Sequence, residues 1–245
     1  MQRVDVMAVP LSSQGRKAGV CVVIPVLNEE ESIGGVIDRI PRDAVNEIIV
    51  ADGGSTDRTV EIAKAKGARV IDAGKGYGRA CLLGALAAGD ACGVVVTMDG
   101  DGADFPGMIP ALVEPIAAGA ADFTIASRAR GAREPGAMAW HQLLAGRLIG
   151  AAVGVLYGFR YTDMCAFRAI RRDALLALGM REMTYGWNLE MQMKAARSGL
   201  RILELPSPYA RRVGGRSKVA GSLPGTIRAG SRILLTFART ALKFR

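Results

Sequence analysis

Short apolar runs alternate with amphipathic stretches through the first half of the chain. Val20–Val26 is one continuous apolar run, the pattern of a strand covered on both faces in a parallel sheet. Ile33, Val36, Ile37 and Ile40 then recur at helical spacing until Pro41 ends the pattern. Glu47–Ala51 predicts a second strand, Asp57–Lys66 a helix stopped by Gly67, and Arg69–Asp72 a third strand. Gly78–Ala88 reads as a small-residue helix able to lie close on a sheet. Val94–Met98 is a fourth strand, Phe105–Ala118 a helix and Asp122–Ser127 a fifth strand. This alternation predicts an α/β fold: a mainly parallel sheet with helices on both faces, and ligands at the carboxyl ends of its strands.

The second half is less regular. Helices are expected at His141–Tyr157, Asp173–Leu178 and Asn188–Arg197, and strands near Cys165–Ile170 and Arg201–Leu205. A basic, Gly-rich loop spans Arg211–Ser222, and a last helix runs from about Pro224 to Lys243. No repeat or linker is visible. The expected organisation is a flexible segment over 1–19, one domain over 20–222 and a basic amphipathic helix over 223–245. In that helix Arg228, Arg232, Arg239 and Lys243 fall on one arc, opposite Ile227, Leu234, Phe237, Ala241 and Phe244, with Leu235 and Leu242 as exceptions that flank the basic arc. Such a helix suits an anionic bilayer surface, and equally a surface position with its apolar stripe packed on the domain.

Composition narrows the chemistry. With half of 245 residues apolar and 22% charged, wholesale disorder is excluded. The four cysteines show no CxxC spacing, which argues against a zinc site or a disulfide framework. His141 is the only histidine, which leaves little room for a Ser-His-Asp triad. No signal-peptide pattern opens the chain, and the apolar stretch Leu143–Phe159 is broken by Arg147 and four glycines. A cytoplasmic protein is expected, peripheral at the inner face of the membrane.

Charge is unevenly placed. Eleven basic residues against one acidic residue from Arg197 onward give +10, whereas residues 1–196 carry 21 basic and 22 acidic residues, a net of −1. The tail therefore seeks phosphates: nucleic acid, a membrane face or a phosphorylated substrate. Only 5% of the residues are aromatic and no nucleic-acid-binding motif is present, so a basic nucleic-acid-binding module is the weaker reading and no nucleic-acid partner is expected.

Polar clusters follow the strands. Asp99-Gly-Asp101 comes straight after an apolar strand. Two such carboxylates can share Mg²⁺ or Mn²⁺ and so neutralise a diphosphate, or simply cap the next helix. Asp52-Gly-Gly-Ser-Thr-Asp57 is either an Asx turn or a nucleobase contact with glycines that admit a ligand to the backbone. Asn28-Glu29-Glu30 is either a helix start or a wall of a sugar-nucleotide pocket. Lys75, in Gly74-Lys-Gly-Tyr-Gly78, either faces phosphates or sits in a solvated turn.

Val23-Ile-Pro-Val-Leu-Asn-Glu-Glu30, Asp52–Asp57 and Asp99–Asp101 together resemble the motifs of family-two glycosyltransferases with the nucleotide-diphospho-sugar transferase (GT-A) fold. Thr162-Asp-Met-Cys-Ala-Phe-Arg168, Tyr185-Gly-Trp-Asn-Leu-Glu-Met191 and Arg212-Val-Gly-Gly-Arg-Ser-Lys218 are similar to those of dolichol-phosphate mannose synthases and bacterial polyprenyl-phosphate hexosyltransferases. The resemblance spans roughly residues 20–240. It implies that Pro25, Asn28, Glu29 and Asp52 line the nucleotide, while Asp99 and Asp101 hold the metal and the donor diphosphate. Arg128 and Arg147 face the acceptor phosphate, and Arg212 and Lys218 close over the phosphates. Asp163 and Glu190 sit near the sugar or brace the arginines; for Arg147 and Glu190 a helix-face salt bridge is an equal reading. The family commonly has Gln two residues after the second Asp; here that residue is Ala103, with Asp104 next, so Asp104 or water would complete the metal shell.

The implied reaction moves a hexose from a nucleotide-diphospho-sugar to a polyprenyl phosphate with inversion. A phosphate acceptor is already anionic and needs no strong base. A soluble phosphorylated acceptor, such as a phosphoglycerate-type acid, is the alternative; a non-catalytic sugar-nucleotide sensor is a further one.

Overall fold

The computed structural model describes residues 19–214 and 223–242. The expected N-terminal segment, apart from Gly19, lies outside the described residues, as does most of the basic loop with Lys218.

Seven strands form one sheet: β1 (Gly19–Val26), β2 (Glu47–Asp52), β3 (Arg69–Asp72), β4 (Cys92–Thr97), β5 (Phe123–Ser127), β6 (Arg168–Arg171) and β7 (Ile202–Pro206). Their order is β3-β2-β1-β4-β6-β5-β7. All pairs are parallel except those of β6, which runs antiparallel to both β4 and β5. Every residue of β1 is buried, as its unbroken apolar run requires. The helices are α1 (Ile33–Asp38), α2 (Thr59–Ala65), α3 (Tyr77–Ala87), α4 (Ile109–Ala117), α5 (Trp140–Tyr157), α6 (Arg172–Ala177), α7 (Trp187–Arg197) and α8 (Leu223–Leu242). One continuous core joins the strands to the inward faces of these helices, and all four cysteines are buried and free.

Elements of the first half match the apolar pattern to within two residues, except that a 3-10 turn at Pro106–Met108 takes the start of the fourth helix. The larger departure is β6. The pattern places a strand over 165–170, but pairing starts at Arg168 because the preceding residues are tied down by side chains. Glu204 accepts from the Thr162 N–H and hydroxyl, and Asp163 accepts from the Met164 N–H.

Small residues bring helices into close contact with their neighbours. Gly84 of α3 faces the Val23 side chain on β1, and a methyl group there would overlap it. Gly150 of α5 lies against the Tyr161 carbonyl. α8 docks through the buried Thr236, whose hydroxyl donates to Glu182 at 3.2 Å, and through Arg232, which donates to the Thr184 hydroxyl at 3.0 Å. Its outward side carries Leu234, Leu235, Leu242 and Arg239. Arg232 of the expected basic arc therefore faces the domain and Leu234 of the expected apolar arc faces outward, while Leu235 and Leu242 lie exposed with Arg239, as expected; Arg228 and Lys243 lie outside the described side chains.

Gly84→Ala is expected to cost about 1–3 kcal/mol, since the stiff Val23 side chain cannot withdraw. Each kcal/mol lowers the melting temperature by about 2–4 °C in a chain of this size. Gly35→Ala, where nothing lies within 4 Å, should leave the melting temperature unchanged or raised; equal losses in the two variants would refute the close-packing account.

Candidate active site

A cleft of about 810 Å³ opens at the carboxyl ends of β1 and β4. Its floor comes from the first half of the chain, with Pro25, Glu29, Lys75, Asp99 and Asp101, and its far wall from Arg128, Asp163 and Arg212. Residues separated by most of the sequence thus face one space.

Two loops form one wall. Asn28 adopts φ 51°, a left-handed conformation that Asn tolerates. Its N–H donates to the Ser55 hydroxyl at 2.9 Å, and its side-chain oxygen accepts from the Thr56 N–H at 2.8 Å. The Glu29 N–H donates to Thr59 and the Glu30 N–H to Asp57. Asp52 accepts from the Gly54 N–H, the Ser55 N–H and the Ser55 hydroxyl. These bonds turn Asn28 and Asp52 into the frame of the wall. The surface presented to the cleft is Pro25, Glu29 and Gly53, and neither Asn28 nor Asp52 lines it.

Asp99 and Asp101 stand at the end of β4. Burial, then the charge of Asp101, pushes the Asp99 carboxyl up to about 6. Tyr77 donates its hydroxyl to Asp99 at 3.2 Å. Burial and the Asp99 charge hold that phenol well above its ordinary pKa, so it remains a donor. Asp104 turns inward, is 4% exposed and accepts from the Asp99 N–H at 3.2 Å. Burial, then the charges of Asp99 and Asp101, raises it to about 8. It is not among the residues that line the cleft.

Arginines answer this negative charge. Arg128 donates to both oxygens of Asp163, at 2.8 Å each, and its guanidinium lies 4.9 Å from the Tyr209 ring centre. Asp163 thus braces an arginine. Burial works against its charge, but Arg128 wins and the carboxyl sits below its usual range. Arg212 donates to both Glu29 oxygens, at 2.8 and 2.7 Å. It is carried there by backbone pairing: the Ala210 N–H donates to the Ala103 carbonyl and the Val213 N–H to the Asp101 carbonyl. The start of the basic loop is therefore strapped along the Asp99–Asp101 turn.

Two expected site residues lie elsewhere. Arg147 lines a separate groove of about 190 Å³ and not the cleft, because Gly146 and Gly150 are the residues of α5 that turn inward. Glu190, at the start of α7, accepts from the Arg181 and Glu182 N–H groups and pairs with Lys194 at 2.9 Å. It braces a loop and no cleft arginine. The pattern also missed Tyr77, Tyr209 and His141, all of which line the cleft. Tyr77 sits in the Gly-Lys-Gly-Tyr-Gly segment, where only Lys75 was singled out; the other two carry no local signal.

The family model for glycosyl transferase family 2 matches residues 21–179. The chain belongs to this family. It is a nucleotide-sugar-dependent transferase of GT-A fold. An uncharacterized glycosyltransferase of Mycobacterium tuberculosis is 37% identical over 212 residues, covering 85% of this chain and 93% of that one. An undecaprenyl-phosphate mannosyltransferase of Micrococcus luteus is 34% identical over 232 residues, covering 84% of this chain and 89% of its own. Among solved structures, glucosyl-3-phosphoglycerate synthase from Mycobacterium tuberculosis in complex with Mn²⁺, UDP-glucose and phosphoglyceric acid has a TM-score of 0.73 and 25% identity; the match covers 91% of this chain and 80% of that one.

The donor set fits a hard cation. Asp99 and Asp101 offer oxygen ligands side by side and repel each other without one. Among the described residues no group of three or more His, Cys, Asp or Glu is arranged to hold a metal by itself. The remaining ligands would have to come from diphosphate oxygens or water.

Asp104 carries a pH signature. Its carboxyl is raised from 3.8 to about 8, so between those limits the folded chain holds a proton that the unfolded chain releases. Its contribution to stability is full below the lower limit and is lost as pH rises towards the upper one. In the presence of EDTA the melting temperature of the wild type should therefore fall more steeply from about pH 4 to about pH 8 than that of Asp104→Asn. Parallel profiles would contradict the buried, charge-crowded position of Asp104.

Proposed function

We propose that the enzyme transfers a hexose from a nucleotide-diphospho-sugar to a polyprenyl phosphate with inversion. The observation that supports this acceptor is the composition of the cleft beyond Arg128. There the segment before α5, α5 itself, the loop after Asp163, α7 and α8 contribute Met138, Ala145, Met164, Leu189 and Ile233. These apolar side chains, set among polar ones such as Gln142 and Asn188 in the same cleft as Arg128 and Arg212, suit an isoprenoid chain whose phosphate stops at the two arginines. A small phosphorylated acid would leave these side chains in contact with water. The undecaprenyl-phosphate mannosyltransferase relative agrees with this reading. The solved neighbour bound to phosphoglyceric acid favours a soluble phosphorylated acceptor instead, as the second reading.

Asp99 and Asp101 would hold Mg²⁺ or Mn²⁺, and such a cation would lower the cost of the charge left on the departing nucleoside diphosphate. Glu29, Gly53 and Pro25 face the nucleotide, with Asn28 and Asp52 fixing their loops, and Lys75 faces its phosphates. A phosphate oxygen of the acceptor forms the new bond to the anomeric carbon as the bond from that carbon to the diphosphate breaks. That oxygen is anionic at neutral pH, so no side chain has to take its proton. Arg128 and Arg212 bring the two anions together and offset the charge that moves between them. Arg212 is placed for this by Glu29, which releases it when phosphates compete for the guanidinium. Lys218, expected to close over the same phosphates, lies outside the described residues. Peripheral attachment through α8 complements such an acceptor; no described helix is long and apolar enough to cross a membrane.

Asp101→Ala is expected to reduce transfer by roughly a thousandfold or more, as for loss of a principal electrostatic group, with an unchanged melting temperature in metal-free buffer. Arg212→Ala should reduce transfer far more than nucleoside diphosphate affinity; equal losses would remove Arg212 from the acceptor side. With a labelled donor and a mixture of undecaprenyl phosphate and 3-phosphoglycerate, label should enter the organic phase on extraction. Label retained wholly in water would reject the lipid acceptor in favour of the soluble one.

A further inference from the structure

Outside the cleft, the groove that contains Arg147 gathers three arginines. Arg130 after β5, Arg147 on α5 and Arg160 after α5 line it together with Ala129, Tyr161 and Thr162. Arg130 donates to the Glu204 carbonyl at 3.0 Å, whereas Arg147 and Arg160 have no hydrogen-bond or ion-pair partner among the described residues. The nearby carboxylate is Glu204, buried behind the groove and engaged by the Thr162 N–H and hydroxyl. Between residues 128 and 162 the sequence has five arginines and one glutamate. Three guanidinium groups converging without an opposing surface carboxylate form a site for a phosphate.

What borders the groove indicates which phosphate. α5 has no Asp or Glu, and Arg147 is its only Arg or Lys. Trp140 is 75% exposed, Leu148 62% and Val155 88%, with Leu144 beside them. At about 100° per residue these four fall within about 80° of arc, and Arg147 lies at the edge of that arc facing the groove. The stripe runs for roughly 22 Å along the helix. A solvent-facing helix ordinarily places charges there. A basic edge beside an apolar stripe with a tryptophan at one end is the arrangement of a helix lying in a bilayer interface.

We propose that the Arg130–Arg147–Arg160 groove binds the headgroup phosphate of an anionic phospholipid while the α5 stripe enters the acyl boundary. This second phosphate site is separate from the catalytic cleft and does not depend on which acceptor the cleft takes. Because Met138, just before α5, and His141, in its first turn, line the cleft, this docking would hold the cleft mouth at the membrane surface.

Co-sedimentation of the full chain with vesicles tests this, using phosphatidylcholine alone against equal parts of phosphatidylcholine and phosphatidylglycerol. Arg130→Gln/Arg147→Gln/Arg160→Gln should bind the anionic vesicles roughly tenfold more weakly or worse than the wild type. A control with the same loss of charge at the opposite edge of the sheet, Arg42→Gln/Lys64→Gln/Lys66→Gln, should stay within about twofold of the wild type. Leu148→Ser/Val155→Ser should lose affinity for both vesicle types while melting at the wild-type temperature, since both side chains are already exposed. Equal losses in the two charge variants would overturn the site and leave only a diffuse effect of net charge. Inorganic phosphate bound by the wild type and lost in the groove variant, with vesicle binding unchanged, would overturn the lipid occupant.

Discussion

The structure is organised around an electrostatic conflict. Asp99, Asp101, Asp104 and Glu29 are brought to one edge of the sheet, and burial there prevents water from screening them. The raised pKa values of Asp99 and Asp104 measure that cost. The fold supplies Arg128 and Arg212 across the cleft, but each is already bound to a carboxylate of its own, Asp163 and Glu29. The carboxylates of the Asp99–Asp101 turn are left in need of a cation, which is the property that a diphosphate-binding metal site requires.

Backbone connections make the conflict permanent. The Asn28 and Asp52 side chains lock the first two loops to each other, so neither can relax away from the cleft. The strand-like pairing of Ala210 and Val213 with Ala103 and Asp101 places the beginning of the cationic loop beside the acidic turn. A chain whose first 196 residues carry no positive excess thus draws Arg212, from its basic last fifth, to the acidic turn. The two are separated along the sequence and brought together in space, and the cleft exists only where they meet.

Much of this was legible in the sequence because its signals are local. An apolar run ending in Asp99-Gly-Asp101 fixes a strand and places acids at its tip. The Gly-Gly-Ser-Thr segment after Asp52 announces a turn. What could not be read depends on contacts distant in sequence. Asp104 turns inward because Gly102, at φ 83°, redirects the chain after Asp101. The helical period places Arg147 on α5 but does not say which face packs, and Gly146 and Gly150 settle that by meeting the 161–163 segment. Glu190 holds N–H groups eight and nine residues earlier in the chain, a loop closure with no periodic trace. β6 runs antiparallel to both its neighbours, which could not be read because strand-scale apolar patterning carries no direction.

The proposed reaction depends above all on the Asp99–Asp101 turn and a nucleoside diphosphate binding a divalent cation together. Electron paramagnetic resonance of Mn²⁺ titrated with the protein, with and without a nucleoside diphosphate, measures this directly. The free-ion signal should fall far more when UDP or GDP is present than with either component alone, and Asp101→Asn should abolish the difference. Tight nucleoside diphosphate binding that is the same in EDTA and in Mn²⁺, with the free-ion signal unchanged, would contradict the central claim.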